Sequence, residues 1–254
     1  MTLTSQPYAI LFEQVGNQTV PITVCISLYN YARYIPEALT SVYQQSLAAI
    51  DLIIVDDASQ DTSIAVTTAW LSQHNQRFNR ILLLRHRQNS GLSATRNTAI
   101  AQVTSPLVFI LDADNVIYPR CLAQCLEAIE SSNAAFAYPL IEKFGSATGI
   151  MGNILWSRDR LAEKNDIDAM ALIRRSALAA VAGYTHMPWG WEDYDLWCKF
   201  AERGEFGVLV PEILARYRVH PKSMLHTTTH QQRNLHRLIV DMKQRHPWLH
   251  LKPS

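Results

Sequence analysis

The chain has 254 residues, 48% of them hydrophobic, enough to bury a sizeable core in one large domain or two small ones. Lysines and arginines number 23 against 22 acids, a formal net charge of +1, so no overall basic field marks a nucleic-acid binder. No apolar run approaches the ~20 residues a bilayer crossing needs. Residues 1–18 lack a charged segment followed by an apolar stretch, so the expected compartment is the cytoplasm.

In chain order, the first twenty residues carry no regular pattern. Residues 22–28 read as a buried strand. Pro36 sits at a first-turn position and opens a helix whose residues Ile35, Leu39 and Val42 follow helical spacing. Residues 51–55 form a second strand, followed by the turn Asp56-Asp57-Ala58-Ser59. The next helix carries Ile64, Thr68 and Leu71 on one side. Residues 81–85 are a third strand, and Gly91 then precedes a helix running to about Val103. Residues 106–111 make a fourth strand that ends at Asp112. A helix over 119–129 and a strand over 134–141 follow. Residues 143–166 are loop-rich, and 169–180 read as a helix. A helix over 193–203 is stopped by Gly204, and 206–210 is a short strand. The last helix carries Leu235, Leu238, Ile239 and Met242 at i, i+3, i+4 and i+7. The four cysteines, Cys25, Cys121, Cys125 and Cys198, form no CxxC pair and read as small buried hydrophobes.

Strand and helix alternate through the first half. That pattern predicts an α/β fold with a mostly parallel central sheet and helices on both faces. Ligands of such sheets bind beyond the carboxyl ends of the strands. Three polar clusters fall at those ends: Tyr29-Asn30, Asp56-Asp57 and Asp112-Ala113-Asp114.

Each cluster has a plain reading beside a chemical one. Alternation along an extended segment puts Asp112 and Asp114 on one side, where like charges repel unless a cation joins them. Mn²⁺ or Mg²⁺ suits such oxygens and those of a phosphate; the plain reading is a strand-end turn. Asp56-Asp57 precedes a helix that Ser59 or Asp61 can cap, and a carboxylate there can also accept a base N–H or a ribose hydroxyl. The run from Asn89 to Asn97 leads into a helix start that attracts anions, or is an ordinary capped helix with Arg96 on a solvated face. Glu192-Asp193 favours the helix dipole, or supplies a general base beside Trp189 and Trp191. His220 is a metal ligand, a phosphate contact, or a satisfied polar group. From Arg216 onward Asp241 is the sole acid among many basic residues. That excess is a solvated face or a contact for anionic lipid.

Together these residues resemble the family-2 glycosyltransferases of GT-A fold, over residues 22–220. The resemblance rests on Tyr29-Asn30, Val55 to Ser63, Asn89 to Asn97, Asp112-Ala113-Asp114, Glu192-Asp193 and Tyr217-Arg218-Val219-His220, in that order. It implies a metal-dependent inverting transfer of sugar from a nucleotide-diphosphate sugar to a glycan or lipid-linked acceptor. Tyr29 would stack on the nucleobase with Asn30 beside it, and Asp57 would hydrogen-bond the base. Arg96 would face the diphosphate. Asp112 would contact ribose or metal, and Asp114 the metal. Asp193 would be the general base, with Glu192 orienting the acceptor. The chain departs from the pattern at Ser27-Leu28, at Ala58 in place of a common Gly, and at Asn115 where a further Asp is frequent.

The implied layout is one transferase domain over 20–220, with a nucleotide-sugar half at 20–115 and an acceptor half at 116–220. A basic helical extension at 221–254 offers peripheral contact with the inner face of a membrane. Three competing readings stand: a haloacid-dehalogenase-like phosphatase using Asp112 as nucleophile, a phospho-acceptor receiver domain built on Asp56-Asp57, and a nucleotide-sugar binder without activity.

Overall fold

Four apolar strands of the first half form the centre of one sheet. In the computed structural model, which describes residues 5–252 apart from the side chains of Leu225 and His226, these are β2 (Ile22–Leu28), β3 (Asp51–Asp56), β4 (Ile81–His86) and β5 (Leu107–Asp112). They lie parallel in the order β4-β3-β2-β5. Side chains alternate between the faces. Val24, Ile26 and Leu28 join Leu107, Phe109 and Leu111 in one core, while Cys25, Val108 and Ile110 enter another. Helices α1 (Ile35–Tyr43) and α4 (Cys121–Glu130) pack into the first core. Helices α3 (Leu92–Ala101) and α7 (Glu192–Glu202) pack into the second. Burial on both faces explains why these strands read as continuous apolar runs.

Beyond this centre the sheet becomes mixed. β1 (Tyr8–Gln14) pairs antiparallel with β4 along one edge. On the other side β9 (Leu172–Arg174) runs antiparallel between β5 and β7 (Phe136–Gly145). β10 (Gly207–Val219) lies parallel to β7, and the two-residue β6 (Val116–Ile117) closes that edge. β8 (Gly149–Met151) folds back on β7. The β7–β10 register slips between Val210 and Ile213, where Pro211 has no N–H for the ladder.

The four central strands fall where the apolar runs predict them. The differences lie elsewhere. Residues 169–180 are not one helix: Leu172–Arg174 is a strand, and only α6 (Arg175–Ala180) is helical. Leu172 and Ile173 are fully buried between neighbouring strands. Filling that gap with paired backbone outweighs the helical preference of an alanine-rich run. β10 runs to Val219, well past the predicted 206–210, and β1 carried no sequence signal. In α2 (Ser63–His74) the buried residues are Ser63, Thr67 and Leu71, while Ile64 and Thr68 are only half-buried. The loop-rich stretch also holds α5 (Arg158–Glu163). All four cysteines are buried and free.

The C-terminal extension is anchored, not pendant. α8 (Gln232–Arg245) buries Leu238, Ile239 and Met242 in the α7-side core, joined by Leu249 and Leu251. His246 is buried between Asp195 Oδ1 at 3.2 Å and Glu202 Oε1 at 2.7 Å, and Trp248 Nε1 donates to Glu202 at 2.8 Å. Among the described residues no helix is long and apolar enough to cross a membrane.

Candidate functional site

A cleft of about 1500 Å³ opens beyond the carboxyl ends of β2, β3 and β5, lined by Tyr29, Asn30, Asp57, Arg96, Asp112, Asp114, Glu192, Asp193 and His220, whereas Asp56 is buried away from it against Ser59 N–H. At one end, the segments after β2 and β3 are sewn together. Asn30 and Ala58 both adopt left-handed backbone, at φ 56° and 61°. Asn30 N–H donates to Ser59 Oγ at 2.9 Å, and its Oδ1 accepts from Gln60 N–H at 2.8 Å. Asp61 accepts from Ala32 N–H and from Ser63 N–H, at 3.1 and 2.9 Å. These bonds hold Tyr29, which is 41% exposed, at the cleft wall.

Asp57 is buried and organises the next loop. Its Oδ1 accepts from His86 Nδ1 at 2.7 Å and Ser90 N–H at 2.9 Å, and its Oδ2 from Gly91 N–H at 2.8 Å. The other nitrogen of His86 is hydrogen-bonded to the Thr98 hydroxyl at 2.9 Å. The carboxylate therefore sets the loop that opens α3, with capacity left on Oδ2 for one more donor. His86 carried no sign in the sequence, because a buried histidine at a strand end has no local signature.

Arg96 overturns the solvated-face reading of its helix. It is 2% exposed. Its Nη1 donates to Glu192 Oε1 at 2.7 Å and its Nη2 to Asp112 Oδ1 at 2.9 Å. Burial opposes its charge, but Asp112 and then Glu192 more than offset that and hold its pKa well above the ordinary value. One guanidinium thus ties the two acidic clusters together across the sheet.

The Asp112 and Asp114 carboxylates meet through a turn, not through strand alternation. β5 ends at Asp112, and Asn115 N–H donates back to Asp112 O at 3.1 Å. Asp114 Oδ2 bonds His220 Nε2 at 2.9 Å, while His220 Nδ1 is buried without a partner among the described residues. Burial raises the Asp114 pKa, the Asp112 charge raises it further, and His220 opposes both. Asn115 is structural: its Oδ1 accepts from Arg218 N–H at 2.9 Å. Arg218 Nε donates to Asp114 O at 2.8 Å, and its Nη2 pairs with Glu37. Tyr31 lies edge-on to His220 with ring centroids 5.7 Å apart. Its phenol pKa is raised by burial and then by Asp114 and Asp112.

At the far end of the cleft, Asp193 enters from the first turn of α7. The helix starts after Trp191, whose φ of 68° is left-handed, and Gly190, whose φ is 101°. A Cβ on Gly190 would stand 2.5 Å from Thr229 Oγ1, so only glycine lets this turn dock on the segment before α8. Asp193 is partly accessible. Burial, then the charges of Glu192 and Asp168, push its carboxyl up to about 8. Thr185, Lys199 and His246 all bond Asp195, at 2.6, 3.1 and 3.2 Å, and so brace the helix. Asn97 adds a reciprocal pair to the backbone of Tyr184 at 2.7 and 2.8 Å. Asp168 also lines the cleft and was not anticipated.

These acids outnumber the buried cations around them, an imbalance that favours a bound cation. Among the described residues no three His, Cys, Asp or Glu side chains form a ready-made metal group. Asp112, Asp114 and His220 offer oxygens and one imidazole, a donor set that suits Mn²⁺ or Mg²⁺ once diphosphate oxygens complete the shell.

The ExoU succinoglycan biosynthesis protein of Rhizobium meliloti is 30% identical over 207 residues, which are 72% of this chain and 58% of that protein. Three curated relatives are spanned over 34%, 74% and 58% of their own lengths. Among solved structures, S. aureus TarS 1–349 in complex with UDP-GlcNAc superposes with a TM-score of 0.73 at 14% identity, over 89% of this chain and 66% of that one. The mannosyltransferase PcManGT from Pyrobaculum calidifontis, in complex with GDP-Man and Mn²⁺, gives 0.68 at 20% identity, over 96% of this chain and 72% of that one. The mixed sheet with helices on both faces is thus the GT-A fold, and the phosphatase and receiver readings lose their ground. Residues 23–181 match Glycosyl transferase family 2, well over half of the chain, and the chain belongs to that family.

Proposed function

We propose that this chain is an inverting glycosyltransferase that moves a sugar from a nucleoside-diphosphate sugar to an acceptor hydroxyl. One observation carries the reading. A carboxyl pushed up to about 8, that of Asp193, shares a single cleft with the Asp112 and Asp114 pair. A carboxylate of such proton affinity is a strong base for a hydroxyl.

In the proposed reaction the acceptor oxygen attacks sugar C1 from the face opposite the diphosphate. The bond from C1 to the diphosphate oxygen breaks, and its electron pair leaves with the diphosphate. Asp193 takes the acceptor's proton, and the single displacement inverts C1. Glu192, fixed by Arg96, orients the acceptor. Tyr29 stacks on the nucleobase beside Asn30, and Asp57 offers its remaining capacity to the base. Mn²⁺ or Mg²⁺ held by Asp112, Asp114 and His220 would neutralise charge on the departing diphosphate.

A panel of UDP and GDP sugars, with Mn²⁺ and with chelator, tests this by thermal shift and by transfer to glycan acceptors. Donor binding should stabilise the fold by about 2.7 kcal/mol at a hundredfold excess over Kd. If no nucleotide sugar stabilises the protein, the reading fails. Full turnover in chelator removes the metal, and binding with no turnover on any acceptor returns the non-catalytic alternative.

We also propose a cytoplasmic location, peripheral to the inner face of the membrane, for transfer to a glycan or lipid-linked acceptor. The supporting surface is the outer face of α8, where Arg233, His236 and Lys243 are exposed around Val240. Binding to anionic vesicles at low salt, lost as salt rises, is the expected result; no binding at any salt refutes it.

A further inference from the structure

The segment leading into the antiparallel strand β9 brings a further carboxylate, that of Asp168, into the cleft. Leu172 pairs with Phe109, and Ile110 N–H donates to Ala171 O at 3.2 Å. Continuing that register sets residue 168 level with the turn that carries Asp112 and Asp114. Asp168 is half-buried in the cleft wall, and its Oδ1 is fixed by Met170 N–H at 2.9 Å. Among the described residues no protein donor bonds its Oδ2. Arg96, the cation closest in influence, is committed to Asp112 and Glu192.

The surroundings narrow what can meet that oxygen. Burial pushes the Asp168 carboxyl up to about 6, with Asp112 and Asp114 adding to it against Met170 N–H and Arg96. Asp168 in turn is the second charge acting on Asp193, after Glu192. It is also the first charge acting on the Tyr217 phenol, after burial. Asp168 is therefore within electrostatic reach of both the Asp112–Asp114 end and Asp193 in the one cleft. In an in-line displacement the sugar ring must lie between those two, with the diphosphate on one side of C1 and the acceptor on the other. An ionised carboxylate oxygen accepts hydrogen bonds, so the ligand that matches Asp168 Oδ2 brings donors.

We propose that Asp168 accepts hydrogen bonds from hydroxyls of the sugar being transferred and so helps to select the donor. The assignment rests on the nucleotide-sugar reading above. It separates Asp168 from the residues that hold the nucleotide and the diphosphate.

The test uses the full chain, with Asp168→Asn and Asp168→Ala, against UDP, GDP and a panel of epimeric UDP and GDP sugars. Melting temperatures of the variants verify folding, and Asn keeps the shape and an acceptor for Met170 N–H. Expected are nucleoside diphosphate affinities within about twofold of the parent, and a loss of about tenfold or more for the preferred nucleotide sugar. The ranking among epimers should flatten, and Asn should be milder than Ala. Unchanged sugar affinity and ranking overturns the proposal. An equal loss for bare diphosphate and nucleotide sugar also overturns it, since Asp168 would then serve the diphosphate end. A parent protein that binds UDP or GDP but no nucleotide sugar overturns the underlying reading and this assignment with it.

Discussion

Asp112 reaches the cleft at the end of a parallel strand whose apolar run announces it, whereas Asp193 reaches it from a helix that opens after a left-handed tryptophan. The two halves of the molecule differ in the same way in how their backbone elements reach the cleft. In residues 20–115, strands β2 to β5 deliver polar residues to one sheet edge by simple alternation of elements. In residues 116–220 the cleft residues are set by distant contacts: β9 slots between β5 and β7, and Gly190 docks on Thr229. A donor site can be built by local pattern, because the edge of a parallel sheet is a ready place for phosphate and nucleotide. In the proposed reaction the base has to be positioned to suit the acceptor, and long-range packing sets Asp193.

The comparison breaks most sharply at Asp193. Asp193→Asn should lower transfer by about 10²–10⁴ while nucleotide binding in the first half persists; a variant with near-normal turnover removes Asp193 from the role. The same residue sets a pH test. A base must be deprotonated, and its carboxyl is pushed up to about 8. Initial-rate kcat/KM should therefore fall about tenfold per unit below that pH and level off above it. A flat profile from pH 6 to 9 would contradict this.

Arg96 joins the halves, so its loss should affect both. Arg96→Met leaves Asp112 and Glu192 without their shared buried partner and should cost about 3–5 kcal/mol in urea denaturation. A change under 1 kcal/mol would mean that the acids reorganise on their own.

The second half can be probed alone through Asp195, which is 1% exposed. Burial disfavours its charge, yet bonds from His246, Lys199 and Thr185 hold its carboxyl down at about 2. The stability it contributes is fully present above the ordinary carboxylate pKa and is lost as pH falls toward 2. Asp195→Asn should cost about 2 kcal/mol at pH 7, and the difference from the parent should vanish near pH 2. The smallest effect belongs to the first half. Ala58 holds a φ of 61° that disfavours a Cβ, so Ala58→Gly should stabilise by about 0.5–1 kcal/mol in the same assay.

Much of this molecule was legible before it folded. Continuous apolar runs marked β2 to β5, because strands buried on both faces need no polar alternation. From the polar steps at their ends, Tyr29, Asn30, Asp57, Asp112 and Asp114 line one cleft with Glu192, Asp193 and His220. Those features depend on neighbours a few residues apart. Asp168 and His86 had no such sign, and Arg96 read as solvent-facing although it is buried between two carboxylates. Residues 169–180 read as helix until β5 and β7 left room for a strand. Each of these depends on a partner dozens of residues away: Arg96 on Glu192, His86 on Asp57, and β9 on β5. Side-chain charge and backbone pairing become binding constraints only when folding excludes water and brings such partners together. Linear spacing alone carries no record of that.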